Sequence, residues 1–205
     1  MTRAIVIDAD VVAEGGAFVF DGNGVIVATQ SVMLDRNRNE HLKQTKLQSA
    51  LLRASQCKEI CWLPGDICEP ITRGHADAIL AFADNVVLFN WVEDEGCAER
   101  RVCEENLRVF MAWAKRAGRH YDVIKLPCLP RGGNYCASYV NFIHVNGAVI
   151  ASEHAGRASA LDNRAKAIFE EVFGKPAILV PISGIAAFGG EIHCATRHRS
   201  VIGKF

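Results

Sequence analysis

The segment GGAFVFDGNGVIVATQS, residues 15–31, sets the pattern on which the rest of the chain can be read. Two short apolar runs, Gly15–Phe20 and Val25–Ser31, flank the turn sequence DGNG, which between apolar runs is a strong β-hairpin signal. A helical pattern over Asn39–Leu52 and a third apolar run, Glu59–Leu63, come next. The segment therefore predicts a unit of two hairpin strands, a helix and a closing strand.

The same order recurs about every 60 residues, which indicates a repeat architecture. In the second unit the two strands, the helix and the closing strand are predicted at Gly74–Ala83, Val86–Trp91, Ala98–Ala117 and Tyr121–Leu126. In the third unit they are predicted at Ala137–Val145, Ala148–Ser152, Ser159–Phe173 and Ala177–Val180. A fourth unit begins with a predicted strand, Gly189–Thr196. The units span about residues 11–64, 72–127, 136–181 and 187–197, and we interpret residues 1–205 as a single domain of the α/β (α+β) class.

Composition excludes several classes of function. Lys plus Arg and Asp plus Glu both number 23 in the 205 residues, so no field of one sign attracts nucleic acid or anionic lipid. No apolar run approaches the roughly 18 residues of a membrane span, and the first residues lack the apolar core of a secretory signal, so we expect a cytoplasmic protein. The eight cysteines are expected to be reduced thiols. Cys57 and Cys61 lack a second pair at ligand spacing, so no metal site is predicted.

The repeat also predicts a partner surface. One unit cannot cover its own apolar face, so units must stack or close into a ring. Three units and a fraction leave open strand edges, and exposed edges pair with other chains unless they are covered. We therefore expect a homo-oligomer or a complementing chain over these edges.

Polar residues recur where the units begin. Glu14 stands at the start of the first unit, His75 and Asp77 at the start of the second, Asn141 early in the third and Cys194 in the fourth. Units related by rotation would bring these residues to one place. A thiol beside a histidine is suited to covalent catalysis, and carboxylates beside them are suited to a planar guanidinium.

Six motifs stand in the order seen in a known family. They are AEGG at 13–16, DRNRN at 35–39, WLPG at 62–65, GHAD at 74–77, ASYVNF at 137–142 and GGEIHCAT at 189–196. On these motifs the chain resembles the agmatine deiminases and the related bacterial peptidylarginine deiminases. The resemblance implies the fivefold propeller of ββαβ units called the pentein fold, of which the chain would hold three units and a fraction.

The resemblance also implies a reaction. Cys194 would attack the guanidinium carbon, and His75, oriented by Glu14, would protonate the departing ammonia and then activate water. Asp77 would grip the guanidinium nitrogens, with Asn141 and Gly190 at the substrate. Neither cofactor nor metal is implied. Agmatine, converted to N-carbamoylputrescine, is the leading substrate, with free or peptidyl arginine as alternatives.

Three expectations remain open. The family carries a Trp-x-Arg-Asp-x-Gly-Pro motif upstream, whose aspartate is the second guanidinium clamp, and the sequence lacks it; Asp8 and Asp10 are candidates to replace it, without a basis for choosing either. The chain is therefore an active deiminase, a deiminase that needs a partner chain, or an inactive remnant that serves as a binding protein. His193 is expected to be structural, because on a regular strand it would face away from Cys194.

Overall fold

The computed structural model of the protein describes residues 10–130, 138–154, 159–186 and 188–196. The strands in these ranges form three sheets of three strands each. They are β1 Phe18–Phe20, β2 Val25–Thr29, β3 Glu59–Leu63, β4 Leu80–Ala83, β5 Val86–Val92, β6 Asp122–Cys128, β7 Ile143–His144, β8 Val149–Glu153 and β9 Ala177–Pro181. In each sheet the middle strand runs antiparallel to the first strand and parallel to the third. This hairpin and crossover topology is the one that the sequence repeat predicts.

A helix connects the second and third strands of each unit, as a parallel pair requires. The α-helices of the described residues are α1 Gln30–Met33, α2 Arg36–Asn39, α3 Gln44–Ser55, α4 Ala98–Arg116, α5 Ser159–Phe173 and α6 Ser183–Ala186. In α4, Glu99 lies in the first turn and Lys115 and Arg116 in the last, which complements the helix dipole. Gly118 follows α4 with φ +66°, the left-handed conformation that ends many helices.

The central strand β2 is buried along its whole length and supplies apolar residues to both of its faces. Val25 and Val27 pack in one cluster with Phe110 of α4, so the second unit covers this face. Ile26 lies on the opposite face in a cluster with Leu47 of α3. Because side chains alternate along a strand, one apolar run can serve both layers. Each unit is thus packed against the next.

The third unit is joined to the second through Tyr139, which is fully buried. Its ring lies in the cluster that contains Leu88 of β5 and Phe169 of α5. Its hydroxyl donates a hydrogen bond of 2.7 Å to Asp162, which also accepts the backbone N–H of His154 at 2.9 Å. These contacts fix the chain immediately before Asn141.

The predicted first strands are too long at their N-terminal ends. Gly15–Ala17 and Ala76–Ala78 are single 3₁₀ turns, and strands begin only at Phe18 and Leu80. In the third unit the strand begins at Ile143. The predicted strand Gly189–Thr196 is wrong, because residues 192–195 form a turn. The segments that carry the polar motifs are therefore turns, whose side-chain directions do not follow the period of two.

The first helix is also displaced from its prediction. Asn39 does not open α3 but ends α2, and its buried side chain bonds to backbone elsewhere. Its Oδ1 accepts the N–H of Val12 at 3.0 Å, and its Nδ2 donates to the carbonyls of Val12 and Met33 at 2.9 and 3.0 Å. The amide of Asn39 thus holds the chain two residues before Glu14.

Three findings concern the described ranges alone. No helix there is long and apolar enough to cross a bilayer. The cysteines there are free thiols, and no cluster of three potential metal ligands occurs there. Asp8, Cys136 and Ala137 lie outside the described residues, and so do Ala187 and Arg197, at either end of the predicted fourth unit. The mixed α/β class is confirmed, whereas a ring of five units and a single domain stay predictions.

Candidate active site

A cleft forms where the turns before the first strands of the units meet. Its lining includes both predicted and unexpected residues: Glu69, Ile71, Thr72, Gly74, His75, Asp77, Ala78, Ser138, Asn141, Gly189, Glu191 and Cys194. Glu14 reaches the same place from the first unit, with its Oε2 3.6 Å from Nε2 of His75. The structure therefore brings Glu14, His75, Asp77, Asn141 and Cys194 together, as the phase of the repeat predicts.

Cys194 lies in the 192–195 turn with its thiol against a carboxylate. Its Sγ donates a long hydrogen bond of 3.7 Å to Oδ2 of Asp77. Its backbone N–H donates to Oδ1 of Asn141 at 3.1 Å. Burial, and after it the charge of Asp77, raise the pKa of the Cys194 thiol. In this state of the site the thiol form is favoured over the thiolate.

Gly190 lies close to Cys194. A side-chain Cβ at this position would stand 3.7 Å from Cβ of Cys194 and 3.2 Å from Ile185. Gly190 is therefore placed to let the turn pack closely.

Asp77 is the buried anion of the cleft, with 4 % of its surface exposed. Its backbone carbonyl accepts a hydrogen bond of 3.3 Å from the amide of Asn141. Its Oδ2 faces Cys194, while its buried Oδ1 has no hydrogen-bond partner. A buried carboxylate oxygen without a donor is costly, so Oδ1 is a position that a donor would occupy favourably.

His193 also contacts Asp77, which the sequence reading did not expect. Its Nδ1 lies 2.8 Å from Oδ2 of Asp77. The prediction that His193 faces away from the site is wrong, because it assumed a strand where the chain makes a turn. No periodic pattern could have shown this contact, since it depends on the conformation of one turn.

Arg38 is a second residue that sequence reasoning missed. No role at the site was predicted for it, yet its Nε donates to both oxygens of Glu14 at 2.8 and 2.9 Å. Burial acts to raise the pKa of Glu14, but the hydrogen bond and charge of Arg38 and the charge of His75 outweigh it and lower that pKa. Glu14 is therefore held as a carboxylate beside His75.

A network in the 69–75 loop fixes the backbone of His75. Glu69 accepts hydrogen bonds from the N–H groups of Ile71, Thr72 and Gly74 and from the Thr72 hydroxyl. The Thr72 hydroxyl in turn accepts the N–H of His75 at 3.2 Å. The loop before the acid/base candidate is thus ordered by one half-buried carboxylate.

Gly16 allows the first unit to approach the second. A Cβ at this position would lie 2.7 Å from Nδ1 of His75 and 2.7 Å from both carboxylate oxygens of Asp77. Real Cβ atoms do not come this close to polar atoms. The second glycine of the AEGG motif is therefore required by close packing at the site.

Glu191 is a buried acid that none of the predicted roles used. Its Oε1 accepts the N–H of Ser138 at 2.8 Å, and its Oε2 pairs with the hydroxyl of Ser152 at 3.1 Å. Burial raises its pKa to about 8, with the charge of Asp77 acting in the same direction against these hydrogen bonds. Glu191 is therefore a neutral, hydrogen-bonded carboxyl group at neutral pH.

Comparison with known proteins shows the family to which the chain belongs. The family described as Porphyromonas-type peptidyl-arginine deiminase matches residues 1–199. An agmatine deiminase from Pseudomonas aeruginosa is 30 % identical over 214 residues, which cover 93 % of this chain and 57 % of that protein. The structure of C. jejuni C315S agmatine deiminase with substrate bound shares 24 % identity and a TM-score of 0.77, over 89 % of this chain and 54 % of that one. A dimethylarginine dimethylaminohydrolase adduct matches at a TM-score of 0.51 with 18 % identity, over 92 % of this chain and 58 % of that one.

The mixed α/β fold of three small sheets is therefore shared with these solved structures. The chain belongs to the Porphyromonas-type peptidyl-arginine deiminase family. It spans somewhat more than half the length of the relatives that it matches.

Proposed function

We propose that the protein is a hydrolase that removes ammonia from the guanidino group of a small cationic substrate through a covalent intermediate on Cys194. The observation that carries the proposal is the thiol of Cys194 against the buried carboxylate of Asp77, 3.7 Å away. Family membership and the relatives named as agmatine deiminases support the same class of reaction.

The electrostatics of the cleft favour a cation. Asp77 is buried, and its Oδ1 lacks a donor. A guanidinium offers planar N–H groups in a fixed fork that match a carboxylate. Bound there, it would satisfy Oδ1 and bring its central carbon towards the sulfur of Cys194.

The same cation would activate the nucleophile. After burial, the charge of Asp77 is the main cause of the raised pKa of Cys194. A guanidinium beside Asp77 offsets that charge, so binding of the substrate lowers the pKa of the thiol. The thiolate then forms when its target is in place.

The reaction follows in two halves. Cys194 passes its proton to His75, and its sulfur forms a bond to the guanidinium carbon; ammonia then leaves with the proton from His75. In the second half His75 removes a proton from water, which attacks the same carbon, and the C–S bond breaks to release the ureido product. Glu14, held by Arg38, lies 3.6 Å from Nε2 of His75 and orients the ring.

The walls of the cleft favour agmatine over free arginine. Ile71 forms an apolar wall, and Gly189 permits it, because a Cβ there would lie 2.2 Å from Cδ1 of Ile71. Within the described residues no Arg or Lys lines the cleft, so an α-carboxylate finds no partner of opposite charge. A polymethylene chain without a carboxylate fits this lining better.

The guanidinium needs a second carboxylate besides Asp77. A guanidinium presents donors on more than one edge, and in the described part of the cleft the oxygens of Glu69 and Glu191 are already hydrogen-bonded. We propose that the second carboxylate comes from another segment, of a second copy or a complementing chain, that also covers Phe188, which is 87 % exposed.

The test is release of ammonia and of the ureido product from agmatine and from arginine by the purified protein, with its mass in solution recorded on the same sample. Cys194→Ala should abolish release, while Cys68→Ala, at an exposed cysteine outside the cleft lining, should not. No turnover by a folded sample, alone or with a complementing chain, would favour the binding-protein alternative.

A further inference from the structure

The contact between His193 and Asp77 is built into the turn that carries the nucleophile. The N–H of His193 donates to the carbonyl of Asn141 at 3.0 Å, and its own carbonyl accepts from N and Oγ1 of Thr196 at 3.1 and 3.0 Å. Its side chain keeps 34 % of its surface exposed, whereas that of Asp77 keeps 4 %. A partly exposed ring thus contacts a buried carboxylate.

The backbone holding the ring also holds the sulfur. Asn141 accepts the N–H of His193 on its carbonyl and the N–H of Cys194 on its side-chain Oδ1, while its amide donates to the carbonyl of Asp77 at 3.3 Å. One asparagine therefore places both of the groups that face Oδ2 of Asp77. The same asparagine therefore holds the backbone of His193 and that of Cys194.

The imidazole occupies the atom that a guanidinium needs. A bidentate guanidinium uses both oxygens of a carboxylate, and here Oδ2 already faces His193 Nδ1 at 2.8 Å. Oδ1 is buried and has no hydrogen-bond partner, and alone it gives only a single-point contact. A substrate that binds both oxygens must therefore share Oδ2 with the imidazole or displace it.

We infer that His193 determines cation binding in this cleft by competing with the substrate for Oδ2 of Asp77. The inference rests on the proposed function for the nature of the substrate, a guanidinium. Among the described residues, the other titratable groups that line the cleft beside Asp77 are Glu69, His75, Glu191 and Cys194, and Glu14 lies 3.6 Å from His75.

Two alkylating reagents of nearly equal size can measure this competition at Cys194 without any turnover. 2-Chloroacetamidine carries the cationic amidinium, and 2-chloroacetamide is its neutral counterpart. The ratio of their rates at the peptide that contains Cys194, followed by mass spectrometry, reports how readily Asp77 accepts a cation. The thiolate fraction of the free protein affects both rates and cancels from the ratio, so the ratio reports what a cation beside Asp77 adds, including its effect on the thiol.

His193→Ala should raise the ratio of cationic to neutral alkylation severalfold over that of the unchanged protein. His193→Asn keeps a neutral donor near the position of Nδ1 and should give an intermediate ratio. Asp77→Asn should bring the ratio close to that of the free reagents. If His193→Ala alone fails to fold, His193→Asn still carries the comparison.

A ratio that stays the same or falls in both folded His193 variants would overturn the inference, because the imidazole would then hold Asp77 in place for the cation. This outcome is distinct from failure of the proposed function. If the protein releases no ammonia from any guanidino compound, the reagent ratios still decide whether His193 and a cation compete for Asp77.

Discussion

The Sγ atom of Cys194 lies 3.7 Å from Oδ2 of Asp77, so the sulfur that would attack the substrate shares a carboxylate oxygen with the cation site. The two residues are 117 positions apart and come from turns in different units. The fold therefore makes the nucleophile sensitive to whether a positive charge is bound. Four predictions follow from this relationship and its surroundings.

Asp77→Asn should make Cys194 more reactive towards a neutral reagent. Removing the charge lowers the pKa of the thiol, although burial, the larger cause, remains. The midpoint of iodoacetamide alkylation against pH should therefore move to lower pH. The exposed Asp94 gives a matched control, since Asp94→Asn should leave the midpoint unchanged. If Asp77→Asn and the unchanged protein have the same midpoint, the charge of Asp77 does not affect the pKa of Cys194.

Gly16→Ala should damage the site while the rest of the fold persists. The new methyl group would meet His75 and Asp77 at 2.7 Å, so both must shift. A displacement of about 1 Å in a catalytic group can cost about 100-fold in rate, and we expect kcat/KM for agmatine to fall on that order. At Gly147 a Cβ meets nothing within 4 Å, so Gly147→Ala is the control. Equal activity of the two variants would argue against the close approach.

Arg38→Gln should weaken acid/base catalysis. The change removes the bidentate hydrogen bond that lowers the pKa of Glu14, so this pKa rises and the carboxylate is less firmly held beside His75. The acidic limb of the pH–rate profile should move to higher pH, with kcat reduced about tenfold or more. Arg36 is exposed two residues away, and Arg36→Gln should leave the profile as it was. An acidic limb at the same pH in Arg38→Gln and the unchanged protein would show that Arg38 does not support catalysis through Glu14.

Glu191→Gln should change how stability depends on pH. Burial raises the pKa of Glu191 from 4.5 to about 8, so between these values the unfolded chain loses this proton while the folded chain keeps it. The free energy of unfolding therefore falls as the pH rises through this window. The glutamine variant should lack this fall and gain a few kcal/mol over the unchanged protein at pH 9, since one pKa unit is worth about 1.4 kcal/mol.

Urea denaturation at pH 5 and pH 9 measures this difference. Glu171 lies exposed on α5, so Glu171→Gln should follow the unchanged protein at both pH values. A parallel loss of stability in Glu191→Gln would show that another group titrates.

The repeat and the residues of the site could be predicted because their signals are local. Hairpin turns between apolar runs, as at residues 21–24, indicate the topology wherever they occur. The clustering of Glu14, His75, Asp77 and Cys194 then depended only on the equivalent positions of successive units.

The direction of individual side chains could not be predicted in the same way. The direction of the His193 side chain was predicted from strand alternation. Residues 192–195 form a turn instead, and Asn141 binds the backbone N–H groups of His193 and Cys194 in this turn. Arg38 lies in a polar stretch typical of surface, and only the tertiary contact with Glu14 distinguishes it. Such contacts join residues far apart in the chain, and no local pattern encodes them.

The proposed mechanism requires a covalent intermediate on Cys194, which can be trapped. The protein is mixed with agmatine, quenched in acid within the first turnovers and digested, and the peptide that contains Cys194 is weighed. If Cys194 forms the intermediate, the peptide gains the mass of agmatine less ammonia. The Cys194→Ala protein should show no such gain. Release of the ureido product without any adduct on Cys194, or with an adduct on another residue, would contradict this mechanism.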